Sequence, residues 1–287
     1  MNGTFYLVAT PIGNLEDFSP RAARVLREAD LVLCEDTRHS AKLMQAANAK
    51  AQLLSCHEYN ESERLTRVVA ELSQGRKVAL VSDAGTPAIS DPGFYLVRGL
   101  RQQGFKVEPV PGPCAAITAL SAGGLPTDRF TFMGFPPEAM GKRKAFFAEA
   151  AALSHTLVFY LSPHKAARHL ADAAEVLGPR PAVLARELTK LFESFYDATL
   201  QELAERLALE APKGELVLLV AGKPRETPQE GDTEAHLARL KAQGLSGKAL
   251  MQALMSELKL PRKTAYALAH QDSDDEPTEE PNPENEE

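Results

Sequence analysis

The chain has 287 residues, 44% of them apolar and 25% charged, with a formal net charge of −7. That length exceeds one ordinary core and points to two domains plus an appendage, and the composition is that of a soluble globular protein. No apolar run approaches the ~20 residues needed to span a bilayer, and no signal-peptide pattern precedes the first strand. Cys34, Cys56 and Cys114 are scattered and odd in number, so they read as reduced packing residues in a cytoplasmic protein. The negative charge is local. Residues 271–287 carry nine acids and no lysine or arginine, which leaves residues 1–270 at +2. Nucleic acid would therefore be met by local basic patches and not by a global field.

In chain order, the apolar run Thr4–Ala9 leads into the turn Thr10-Pro-Ile-Gly-Asn-Leu15. Ser19-Pro20 supplies an N-cap and first helical position for a helix over Arg21–Ala29, and Leu31–Cys34 is the next short strand. Asn60-Glu-Ser-Glu63 reads as a capping box opening a helix that Gly75 closes. Val78–Ser82 follows as a buried strand, and the loop Asp83–Gly93 behind it is again rich in glycine and proline. A helix near Phe94–Arg101 and a strand Val107–Val110 lead to Pro111-Gly-Pro113. Strands separated by helices in this way predict a largely parallel sheet covered on both faces. Ala115–Ala122 reads as a helix of small residues. A second, mixed α/β set follows, with strands at Arg129–Met133, Thr156–Leu161, Arg180–Arg186, Glu193–Ala198 and Leu216–Ala221. Helices are expected near Ala139–Leu153, Pro163–Leu177 and Leu200–Ala208.

The domain plan is thus an N-terminal α/β domain over 1–114, a second α/β domain over 115–222, and a polar Pro/Gly linker at 223–231. A small module over 232–270 follows, with three short helices, Glu234–Gln243, Gly247–Leu258 and Arg262–His270. The last two join at Lys259-Leu-Pro261 in a helix-turn-helix-like way, with a basic edge of Lys248, Lys259, Arg262 and Lys263. The acidic, proline-bearing end at 271–287 reads as disordered.

Loops at the carboxyl ends of strands in an open α/β sheet are where ligands bind. Neither GxGxxG nor GxxxxGK[ST] is present, so any nucleotide-like cofactor is held by other means. The histidines are dispersed and no HExxH or paired CxxC occurs, so no metal is expected. Four segments in order, Ala9–Ala22, Cys34–Ser40, Ser82–Gly93 and Pro111–Pro126, resemble the motif series of the tetrapyrrole-methylase superfamily. They are most similar to its ribosomal RNA small-subunit methyltransferase branch, and the likeness runs from about Thr4 to Gly222.

The resemblance implies two α/β domains with S-adenosylmethionine between them, and transfer of its methyl group to the ribose 2′-hydroxyl of a decoding-region cytidine in 16S ribosomal RNA. It implies a partner in the small ribosomal subunit and a homodimer. Other readings are a relative acting on a tetrapyrrole or a protein side chain, or a non-catalytic ribosome-binding factor. By the same resemblance the cofactor residues are Pro11, Asp83, Gly85, Thr86, Pro87, Ala88, Ile89, Ser90, Thr118 and Ala119, joined by Tyr160, Leu188, Gly214 and Glu215 from the second domain. Core packing is the other reading of Tyr160 and Leu188. For chemistry, Asp36 is the favoured proton acceptor or ribose anchor, with Glu35 as the alternative and Arg38 beside them; helix capping is the other reading of Asp36. RNA contacts are expected from Asn14, His39, Arg186 and Lys190, and from Lys142-Arg143-Lys144 as a basic lid.

Overall fold

In the computed structural model, which describes residues 2–57, 59–210, 212–224, 230–258, 260 and 262–270, the chain divides into units 1–223 and 224–287. The first unit begins with β1 (Thr4–Val8), α1 (Pro20–Glu28), β2 (Leu31–Cys34), α2 (Thr37–Ala46), β3 (Gln52–Ser55), α3 (Glu61–Ser73), β4 (Val78–Val81), α4 (Phe94–Gln102) and β5 (Lys106–Val110). All five strands are parallel, in the order β3-β2-β4-β1-β5. Every residue of β2 and β4 is buried, as expected of strands covered on both faces. Side chains alternate between two cores. Val32, Ala79 and Val81 join Leu26 and Leu43 of α1 and α2, while Leu33, Val78 and Leu80 join Leu72 and Leu96 of α3 and α4.

After α5 (Ala115–Ala122) the second sheet uses β6 (Phe130–Gly134), β7 (Thr156–Leu161), β8 (Pro181–Arg186), β9 (Ser194–Thr199) and β10 (Leu216–Val220) in the order β6-β7-β10-β8-β9. Only the β6–β7 pair is parallel, so the sheet is mixed. Helices α6 (Met140–Ala150), α7 (Ala166–Leu177) and α8 (Leu200–Leu209) cover one face through Phe147, Leu170 and Leu203. The other face packs on Ala116, Ala119 and Leu120 of α5 and on Ile12 of the first loop. That last contact fastens the carboxyl ends of the first sheet against the flank of the second.

Two local expectations need correction. The strand β3 forms where the sequence pattern predicts none; it is a four-residue edge strand, none of it fully buried, that lacks an apolar run. Asn60 makes no side-chain cap bond to α3; its Oδ1 accepts instead from the His57 N–H at 2.8 Å. The capping box that does form is Thr199–Glu202, at the start of α8. Ser19 caps α1 as expected, its hydroxyl accepting from the Ala22 N–H.

The second unit holds α9 (Glu230–Ala242), α10 (Gly247–Glu257) and α11 (Arg262–Ala269) around a small core of Leu237, Leu240, Leu250, Leu254, Leu260 and Ala265. Lys248, Arg262 and Lys263 are exposed. Residues 225–229 of the expected linker, the turn residues Lys259 and Pro261, and the acidic stretch 271–287 lie outside the described residues. No helix among the described residues is long and apolar enough to cross a membrane.

Candidate active site

The first loop and the Asp83–Gly93 loop leave adjacent parallel strands, and main chain pins them together. Thr10 N–H donates to the Gly85 carbonyl at 2.8 Å and Gly85 N–H returns a bond to Thr10 at 3.1 Å. Gly85 takes φ +84°, and a Cβ there would meet Ile12 Cγ2 at 3.3 Å, so this crossing needs glycine. Thr86 Oγ1 donates to the Pro113 carbonyl at 3.0 Å, which ties in the loop after β5. The far end of the 83–93 loop is held by Glu61. This buried carboxylate, on the first turn of α3, accepts from Gly93 N–H at 3.1 Å and Leu96 N–H at 3.2 Å. Among the described residues, five non-glycines have positive φ, and four flank this site: Ala88, Ser90, Glu187 and Thr189.

Two cavities open here. The larger, about 360 Å³, has a mainly apolar wall that includes Ile12, Phe135, Tyr160, Leu188 and Val217, with Asp83, Asp91 and Glu215 among its polar groups. The second, about 320 Å³, is lined by Pro11, Gly13, Leu15, His39, Lys42 and Lys190 among others. Ile12, Asp83, Ala84 and Glu215 belong to both, so they form a common wall. Either volume is of the size that takes a small ligand. Among the described residues no group of three or more histidines, cysteines or acids is arranged to hold a metal ion.

The structure sorts the expected cofactor residues. Asp83, Gly85, Thr86, Ile89, Ser90, Tyr160, Leu188 and Glu215 line the larger cavity; Pro11 lines the second. Pro87, Ala88, Thr118 and Gly214 line neither, and Ala119 is fully buried in the core against the second sheet, so it is not a surface a ligand meets. Tyr160 both packs and lines. Its ring stands edge-on to Phe132 at 4.9 Å and its oxygen accepts from the Ala116 N–H at 3.2 Å, while burial pushes its phenol pKa up. Gly214 makes room for a neighbour instead. A Cβ there would collide with the Glu187 carboxylate, which accepts from Glu215 N–H at 2.9 Å and pairs with Lys190 Nζ at 3.0 Å.

Asp36 is corrected. It is the N-cap of α2, with Oδ1 accepting from Arg38 N–H at 2.8 Å and Oδ2 paired with the Arg38 guanidinium at 2.8 Å. The hydrogen bonds from the Arg38 side chain and then its backbone hold the carboxyl at about 2, which makes it a poor proton acceptor near neutrality. Neither Asp36 nor Glu35 lines either of these two cavities, and Arg38 points its charge at Asp36 in the open.

Of the expected RNA contacts, His39 and Lys190 line the second cavity. Asn14 instead caps a single turn at Leu15–Asp17 by accepting from Glu16 N–H, and Arg186 Nε donates to the Lys213 carbonyl at 2.8 Å. Arg143 is corrected outright: its side chain is 5% exposed and paired with the similarly sheltered Asp172, Nε to Oδ2 at 2.6 Å. Lys144 is taken up by Glu175 at 2.6 Å, which leaves Lys142 as the exposed cation of the triplet.

Two residues that the sequence pattern does not single out belong to the site. Lys42, one turn along α2 from His39, lines the second cavity. Asp91 lines the first, and loss of solvent, with repulsion from Glu35, pushes its carboxyl up to about 6. Its place between Ser90 and Pro92 at the end of a glycine–proline loop is the signal that could have found it.

A family model described as tetrapyrrole (corrin/porphyrin) methylases matches residues 4–204. The chain belongs to the tetrapyrrole methylase family. Within it, the chain is 47% identical over 270 residues to "Ribosomal RNA small subunit methyltransferase I" of Pseudomonas aeruginosa, covering 93% of this chain and 91% of that protein. The namesake in Halalkalibacterium halodurans is 42% identical, with 94% and 96% covered. A solved uroporphyrin-III-C-methyltransferase from Thermus thermophilus superposes with a TM-score of 0.52 at 26% identity, covering 77% of this chain and 93% of that one. As a member of this family the chain is an S-adenosylmethionine-dependent methyltransferase. The larger cavity suits that cofactor: its wall is apolar enough for an adenosyl group, and the Gly85 main chain allows close approach.

Proposed function

We propose that this methylase transfers a methyl group to ribosomal RNA of the small subunit, and that its acceptor is the 2′-hydroxyl of a cytidine ribose in the decoding region of 16S RNA. The observation that carries the reading is the pairing of the two cavities across one wall. The first is apolar with carboxylates, and the second presents His39, Lys42 and Lys190. Sugar and phosphate suit the second cavity, because cations meet phosphate by charge-assisted hydrogen bonds. The names of the relatives support the RNA substrate, and the likeness of the Cys34–Ser40 segment supports the branch.

When bound, S-adenosylmethionine supplies a methyl group activated by a sulfonium. The residues of this chain do the rest. Thr86, Ser90, Tyr160 and Leu188 border the cofactor space, and Ile12 and Leu188 exclude water from the wall. Lys190, held by Glu187 and Glu215, faces the sugar-phosphate with His39 and Lys42. Asp83 stands on the common wall of both cavities and is the carboxylate best placed to take the hydroxyl proton. Positioning in such a site is worth ~7–11 kcal/mol and a base ~10²–10⁴-fold in rate. In this reading the enzyme works in the cytoplasm as a homodimer, which light scattering at assay concentration checks.

Labelled S-adenosylmethionine with purified small ribosomal subunits, compared with free 16S RNA, tests the proposal. Label recovered as 2′-O-methylcytidine supports it. Label on a base, or binding without transfer, overturns it.

A further inference from the structure

The larger cavity carries charge of one sign. Asp83, Asp91 and Glu215 line it, and among the described residues no lysine, arginine or histidine does. Two of these carboxylates already have partners: Asp83 Oδ1 accepts from Asp36 N–H at 3.3 Å, and Glu215 Oε2 from Lys190 Nζ at 3.0 Å. Asp91 meets the Ser82 hydroxyl and, among the described residues, no cation. Around it stand Glu35 from the end of β2 and Asp83 from the end of β4, both acidic, with the neutral phenol of Tyr160 on β7. A shielded carboxylate with no counter-charge costs the fold free energy, so its place on a ligand cavity points to a cation that arrives with the ligand.

We propose that Asp91 is the counter-charge for the cationic part of the bound methyl donor, its sulfonium or its α-ammonium group, and so positions the donor in the cleft. This rests on the assignment of the cleft to S-adenosylmethionine. Asp91 in the free protein titrates at about 6, raised first by desolvation and then by Glu35. A cation beside it favours the ionised form and lowers that value. Donor binding therefore expels a proton below about pH 7, and affinity rises with pH, by roughly tenfold between pH 5 and pH 7. Above about pH 7.5 the dependence flattens, because Asp91 is then ionised before the donor arrives.

Calorimetry of the full chain with S-adenosylmethionine and with S-adenosylhomocysteine, at several pH values and in buffers of different ionisation enthalpy, tests this without any turnover. The expected results are proton release near pH 6, and an Asp91→Asn variant that loses both the release and at least tenfold in donor affinity at pH 7.5. A loss confined to S-adenosylmethionine identifies the sulfonium as the partner; an equal loss for both ligands identifies the α-ammonium. Wild-type affinity in Asp91→Asn overturns the proposal and leaves the cleft assignment standing. If that variant does not fold, wild-type binding that is flat from pH 5 to pH 7 with no proton release overturns it as well. A wild-type protein that binds no donor at any pH overturns the cleft assignment, and this proposal with it.

Discussion

Glu61 offers a direct measurement of how the 83–93 loop is held. Its carboxylate is 4% exposed and reaches from the first turn of α3 to two main-chain N–H groups, Gly93 and Leu96, at the head of α4. Glu61→Ala removes both acceptors at once and strands two donors next to a core where Leu96 is fully buried. Each stranded donor costs ~1–3 kcal/mol, so the pair together costs roughly 2–6 kcal/mol. For a unit of this size a loss of about 3 kcal/mol lowers Tm by roughly 6–12 °C. Glu61→Gln keeps one acceptor oxygen and gives up the charge at the α4 N-terminus, so it should lose about half as much. Urea denaturation gives the stability, and calorimetry with S-adenosylmethionine gives the effect on the loop, which should bind more weakly in Glu61→Ala. A Glu61→Ala protein within ~0.5 kcal/mol of wild type would refute the reasoning, because that result requires the two donors to find other partners at no cost.

Three more outcomes follow from the same geometry. Arg143→Ala should destabilise by ~3–5 kcal/mol in urea denaturation, because it leaves Asp172 charged and sheltered, while the salt dependence of RNA binding stays as in wild type. Asp36→Ala should keep turnover within about threefold of wild type, whereas loss of a true base would cost ~10²-fold or more in methyl-transfer rate. Gly85→Leu should abolish S-adenosylmethionine binding by calorimetry, since φ +84° and the 3.3 Å approach to Ile12 both reject a side chain; undiminished affinity would remove the loop from the site.

What is legible in the chain is whatever its local pattern encodes. Fully apolar runs ending in glycine–proline turns fix β1 and β4 and the loops behind them, and Ser19-Pro20 fixes the start of α1. The strand β3 escapes because an edge strand with polar ends has no such run. Asn60-Glu-Ser-Glu63 misleads because a capping pattern says nothing about competing partners for the same side chains. Here Asn60 is taken by the His57 N–H and the Ser55 carbonyl, and Glu63 pairs with Arg64. Thr199-Leu-Gln-Glu202 carries the same kind of pattern and does form a box, there being no distant claim on its groups. Charge pattern fails for a related reason at Lys142-Arg-Lys144. Three consecutive cations look like a surface, but Asp172 and Glu175 on α7 draw in two of them. In the site, residue types are readable and environments are not. Asp36 and Asp91 are both acids at the ends of strand loops, yet hydrogen bonds from Arg38 hold one at about 2 while desolvation lifts the other to about 6.

The left-handed residues Ala88, Ser90 and Thr189 set a limit on how this enzyme can be made more robust. Each holds a side chain in a backbone region that costs of order 1–3 kcal/mol, and the surrounding contacts must keep it there. Replacing any of them by glycine would relieve that conformation, and a stability screen would select such changes early. The same replacement widens the range of shapes the loop visits before ligand arrives, so the donor must then spend part of its binding free energy on ordering the loop. Thermal tolerance and donor affinity are therefore expected to move in opposite directions at these three positions, while at helix surfaces such as those of α6 and α8, away from the site, the two properties stay independent.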